Sequence, residues 1–204
     1  HLYYMDYFWS WSKLMPSPGL LLPHNGPYGG ADSYTKLLLH MDGTDASTTF
    51  TDSSQFVKTA TANGNAQIDT AQSKFNGASG LFDGTGDYLS LADSTDWDFG
   101  TNEPFTWDFW IRRNGSQAAY AAPISFTTIA GNGCHVNFGD GAGNGTVNAL
   151  YFADRGGAGI IAASTTVVPD VTWTHIAVVS DGSTLVIYQA GTSVASGSIT
   201  GVNC

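Results

Sequence analysis

The chain has 204 residues, enough for one sizeable domain with its own core. Seven Lys and Arg against seventeen Asp and Glu give a formal net charge of −10, which repels nucleic acid and anionic membrane surfaces. With 25 Gly, only 12% charged residues, and Glu103 as the one Glu among the acids, the composition is that of a turn-rich all-β chain, because Asp favours turns and caps.

Further classes fall away quickly. No apolar run is long enough to span a bilayer, so membrane insertion is not expected. The first residues lack the basic-then-apolar order of a signal peptide, and the chain opens on His1, as a processed or incompletely represented chain would. Cys134 and Cys204 are the two cysteines. They allow a disulfide but make no framework, and free or buried thiols are the plainer reading.

Residues 1–34 stand apart. Tyr3, Tyr4, Tyr7, Phe8, Trp9 and Trp11 crowd the start, and Pro16, Pro18, Pro23 and Pro27 follow. Proline fixes φ and removes donors, so this segment reads as an extended, irregular arm. Its aromatics need a surface to cover them, either the chain's own domain or another subunit of a homo-oligomer or larger assembly.

The domain, residues 35–204, is then read strand by strand. Residues 35–41 (TKLLLHM) form a strand turned by Asp42-Gly43, and residues 56–61 form another. Asn63-Gly64 reads as a hairpin turn into a short return strand, Ala66 to Ile68. Residues 80–113 carry two strand patterns about an acidic, aromatic loop: Tyr88 to Leu91, then Phe105, Trp107, Phe109 and Ile111 alternating with Thr106, Asp108, Trp110 and Arg112. Strand side chains alternate faces, so the first set makes an apolar face, and Trp110 implies partial cover on the other. Further strands fall near 124–126, 134–138, 147–152, 160–163, 171–179, 185–188 and 194–199, with a glycine-rich loop over 139–145. About eleven short strands without a helical period predict a two-sheet antiparallel jelly-roll sandwich.

Read in order, LLLHMDG (37–43), KFNGASGLFDGTGDYLSL (74–91), FTWDFWIRR (105–113), TWTHIAVVSDGSTLVIYQAG (172–191) and SVASGSI (193–199) resemble a laminin-G-like domain of the concanavalin A-like lectin/glucanase superfamily. The resemblance is to the version common in bacterial extracellular and phage virion proteins, and it covers about residues 35–200. It implies a jelly-roll sandwich, non-catalytic binding of glycans or protein partners, a calcium ion on the rim, and an extracellular or virion-surface location. The sequence departs from the pattern at Tyr188-Gln189-Ala190-Gly191, where the family has Asn-Gly, and in lacking a closing G-x-I-D-E-like strand. An unclosed sheet edge is a pairing liability, so residues 1–15 or another subunit are expected to cover it by strand addition.

The chemistry follows. Glucanases of this fold set paired carboxylates on one strand, whereas Glu103 stands in a loop and Asp108 has no acidic partner two residues on. Cys134 and His135 are adjacent, so as strand residues they point to opposite faces and cannot form a nucleophile–base pair. His175 reads as an ordinary strand histidine. No enzyme is expected. Two readings stand for Asp140, Asn144 and Asp154: turn residues, or the oxygen ligands of a calcium site. Trp97, Tyr120 and Tyr151 are the candidates for stacking on a sugar ring, against a plainer role in packing. Two functions are weighed: an interaction subunit of a virion or extracellular appendage, held by its aromatic arm, and a secreted or cell-surface carbohydrate-binding module.

Overall fold

The computed structural model describes residues 2–6, 33–117, 121–126 and 133–203. Among the described residues there are fourteen strands and one 3-10 turn, Thr95–Trp97. The strands are β1 (Leu2–Asp6), β2 (Thr49–Thr51), β3 (Thr59–Asn63), β4 (Gln67–Asp69), β5 (Ser79–Phe82), β6 (Tyr88–Leu91) and β7 (Phe105–Asn114), followed by β8 (Ile124–Ser125), β9 (Cys134–Phe138), β10 (Ala149–Asp154), β11 (Gly159–Val167), β12 (Thr174–Ser180), β13 (Thr184–Gln189) and β14 (Thr192–Ser198). All ladders between strands are antiparallel. The result is an all-β, lectin-type sandwich, but its strands lie in three sheets rather than the expected two. These are a seven-stranded sheet (β14-β13-β12-β7-β1-β5-β4), a four-stranded sheet (β11-β10-β9-β8) and a three-stranded sheet (β2-β3-β6). No described helix is long and apolar enough to cross a membrane.

β7 organises the core as its alternation predicts. Phe105, Trp107, Phe109 and Ile111 are buried, and their register partners on β12 (Ser180, Val178, Ile176 and Thr174) are buried with them. The four-stranded sheet supplies the facing layer. Phe152 lies 5.4 Å from the Trp107 ring and 6.3 Å from Phe105, and Phe126, next to β8, stacks on Trp107 at 5.0 Å. Such contacts add about 0.5–1.5 kcal/mol each beyond area burial. β11 packs on the face of β14: a Cβ on Gly197 would sit 1.9 Å from the Ile161 carbonyl oxygen, so the two backbones touch where only glycine fits.

Several sequence expectations are corrected. Residues 35–41 form no regular strand. Leu38 donates its N–H to the buried Asp52 carboxylate at 2.9 Å instead of to a ladder, and Leu39 makes only an isolated bridge to Asp52. Asn63-Gly64 is no hairpin: β3 pairs with β2 and β6, while β4 crosses to pair with β5. The physical reason is Asp87, whose carboxylate accepts from Asn65 N at 2.8 Å and Asp83 N at 2.6 Å, docking this turn on the Gly84–Asp87 turn. Cys134 is disulfide-bonded rather than a thiol, and its partner lies outside the described residues.

The arm also differs from its reading as irregular chain. Leu2–Asp6 form β1, and β1 is no edge cover: it runs inside the seven-stranded sheet between β5 and β7. The arm residues Tyr7, Phe8, Trp9 and Trp11 lie outside the described residues.

Candidate functional site

The alternation of β9 and β10 builds the site. Val136, Phe138, Leu150 and Phe152 point into the core, so His135, Asn137, Tyr151 and Ala153 point to the sheet's outer face. Register sets His135 opposite Ala153 and Asn137 opposite Tyr151. An outer sheet face is ordinarily wet, yet these four residues are buried. Two loops fold over them.

The first is the glycine-rich loop, 139–146. Gly141 donates to Gly145 O at 3.0 Å, and the Asp140 carboxylate accepts from Ala142 N (2.8 Å), Asn144 N (3.2 Å) and Asn144 Nδ2 (2.7 Å). Gly139 lies so close to the returning loop that a Cβ there would meet Thr146 O at 2.3 Å. Gly145 settles over Tyr151. The second loop is the turn after β10. Here Asp154 accepts from Gly156 N (2.6 Å) and Ala158 N (3.1 Å), and Arg155 N donates to Gly133 O at 3.0 Å.

Between the loops opens a pocket of about 490 Å³, lined among others by His135, Asn144, Tyr151, Asp154, Arg155 and Ile160. Its chemistry is a set of neutral and charged hydrogen-bonding groups beside an aliphatic wall. The Tyr151 hydroxyl accepts from Asn137 Nδ2 at 3.1 Å, which fixes the phenol. Burial, and then the positive charge of Arg155, push the His135 imidazolium down in stability, so its pKa lies below the ordinary histidine value. The imidazole is also hydrogen-bonded to the Gly133 backbone, which opposes that shift without reversing it. Arg155 is exposed at the mouth.

The sequence candidates are distributed unevenly. Asn144, Asp154 and Tyr151 line this pocket, with Asp140 holding its loop. Trp97 lies elsewhere, half-buried against Phe126, its indole N–H given to Ala92 O at 2.9 Å and Lys58 over its ring at 5.3 Å. Tyr120 lies outside the described residues. For calcium, both Asp140 and Asp154 already accept backbone N–H groups of their own turns. Among the described residues no group of three or more His, Cys, Asp or Glu is placed to hold a metal ion. Asp140 has its pKa lowered, first by Asn144 and then by the Ala142 N–H, which is turn chemistry.

Sequence reasoning missed His135, Asn137 and Arg155. The signal was present in Cys134-His135-Val136-Asn137-Phe138: polar residues alternating with core residues mark a strand whose second face meets something other than core. The glycosidase arrangement is not formed by the residues that were weighed for it. Asp108 faces His175 at 3.6 Å, and Glu103 is exposed in its loop.

A sandwich of this kind, with a polar pocket on the outer face of one sheet, has a lectin-type fold. The chain belongs to the laminin-G-like family of the concanavalin A-like lectin/glucanases superfamily, whose model matches residues 83–203, more than half of the chain. Comparison with curated proteins and with solved structures gives no match.

Proposed function

We propose that the protein is a non-catalytic binding domain that holds a surface carbohydrate in the pocket between the 139–146 loop and the turn after Asp154. The observation that carries the reading is the burial of a polar outer face. His135, Asn137 and Tyr151 are buried beneath two carboxylate-tied loops, and Arg155 and Ile160 line the pocket between them. Hydroxyl-rich ligands are recognised by a few polar groups set beside apolar surface, and His135, Asn144, Asp154 and Arg155 beside Ile160 make such a lining. The test is a glycan array followed by titration calorimetry, with Arg155→Ala and Ile160→Arg beside the unchanged chain. Binding should weaken about tenfold or more, roughly 1.4 kcal/mol, in each variant. Equal binding in all three proteins rejects the pocket.

The same domain fits a subunit of an extracellular or virion-surface assembly. Supporting this reading are the aromatic, proline-rich arm and its opening strand, which carries main-chain pairing into the sheet. The alternative, a carbohydrate-binding module of a larger adhesin or enzyme, uses the same pocket without the arm. Native mass spectrometry separates them: a defined oligomer supports the assembly subunit, and a monomer at all concentrations supports the module.

A further inference from the structure

β5 and β7 run parallel to each other and share no ladder, because each pairs antiparallel with β1. The seven-stranded sheet therefore contains a slot one strand wide. Leu2–Asp6 fill it, with Tyr4 opposite both Leu81 and Arg112, and Met5 opposite Gly80 and Ile111. Without a strand in the slot, two facing rows of backbone donors and acceptors on β5 and β7 lose their partners. Main-chain groups inside a sheet are costly to leave unpaired.

We propose that this slot is a strand-exchange site, and that it takes Leu2–Asp6 of a second copy of this chain. The inference deepens the assembly half of the functional reading and rests on it. Recognition here is by main chain and register, and a ladder is the same whichever copy supplies the strand. What separates the two cases is the connection, and it is long. The 26 residues from 7 to 32 link β1 to the rest of the domain. Fully extended they reach about 85 Å at ~3.3 Å per residue. A domain of ~170 residues has a radius of gyration of only about 15 Å. A neighbour's slot is thus within reach, and the same-chain strand holds only the advantage of a long tether, an effective concentration of about a millimolar or below. Exchange between two copies closes a symmetric dimer in which each chain completes the other's sheet.

The register supplies the test. Opposed residues of antiparallel strands have Cα atoms about 4.5–5.5 Å apart, within disulfide range. Full-length Tyr4→Cys and full-length Leu81→Cys chains are refolded together at about 1 mM and oxidised gently, a concentration at which exchange competes with the tether. The expected result is a covalent heterodimer on non-reducing gels, several-fold above that from Tyr4→Cys with Ser90→Cys, since Ser90 lies on β6 in another sheet. A heterodimer yield equal to that control overturns the proposal. The double variant Tyr4→Cys/Leu81→Cys reports on the slot itself. An intramolecular link as its sole product places the strand in its own chain and overturns exchange, and no link at all overturns the slot. Neither readout involves the sugar pocket, so failure here is distinguishable from failure of carbohydrate binding.

Discussion

At the scale of single residues, buried carboxylates and close glycines carry the local structure. Asp52 is 6% exposed and accepts from four donors: Leu38 N, Ser54 N, Ser54 Oγ and Lys58 N. Removing it leaves these groups unpaired, so Asp52→Ala should destabilise by about 2–4 kcal/mol in urea unfolding, well above the ~1 kcal/mol of an ordinary hydrogen bond. Gly197→Ala forces a methyl into the Ile161 backbone and should cost about 1–3 kcal/mol. His135 gives a pH signature. Burial and Arg155 lower its folded pKa below the unfolded value near 6.5. Below that value the unfolded chain binds a proton that the folded chain refuses, so stability falls as pH drops from about 7 toward 5. His135→Gln should flatten the melting temperature across that window. At more acid pH Asp96 takes over. Its contact with Lys58, followed by that with Lys36, holds its pKa low, and the stability it contributes is present above the ordinary Asp value and is lost as pH falls through its folded value.

At the scale of elements, legibility tracked periodicity. β7, β9, β12 and β13 were readable because each alternates core and non-core residues, and the structure buries the predicted faces. Elsewhere the backbone overrode the residue type. Val57 and Val171 are β-branched yet sit at φ 47° and 45°, which ends strand geometry and delays β3 and β12 to Thr59 and Thr174. β2 was hidden in a polar stretch, where Phe50 is its one buried residue. β1 was hidden by its setting, because prolines and clustered aromatics masked a five-residue strand whose partners stand more than seventy residues away. Position within the sheet makes β1 sensitive. Proline removes an N–H that an inner strand must donate and is otherwise confined to edges. Tyr4→Pro should therefore destabilise by about 3 kcal/mol in chemical unfolding, where an edge strand would lose little.

At the scale of the whole molecule, a sandwich core of aromatic layers positions two loops over one sheet's outer face, and the proposed binding pocket lies where those loops part. Loop composition singles out Asn144 and Asp154, with Asp140, as candidate calcium ligands, and aromatic placement singles out Tyr151 for a sugar ring; Asn144, Asp154 and Tyr151 line one pocket, while Asp140 braces one of its loops. The rest was only half visible: alternation in Cys134–Phe138 sets His135 and Asn137 on the face away from the core, but which residues meet them there, Ala153 and Tyr151 of β10, is a long-range pairing that no local pattern contains. The same geometry bears on calcium. Asp140 and Asp154 already accept N–H donors within their own turns, so adding calcium or a chelator should leave the melting temperature unchanged. A rise with calcium would mean that Asn144 and loop carbonyls complete a site with them. The measurement that tests the central claim most directly is calorimetric titration of an array-selected glycan into the full chain and into Arg155→Ala, with the sugar analysed afterwards. The account predicts saturable binding, weakened about tenfold or more in the variant, and a glycan recovered uncleaved. Unweakened binding in Arg155→Ala, or a hydrolysed glycan, would contradict it.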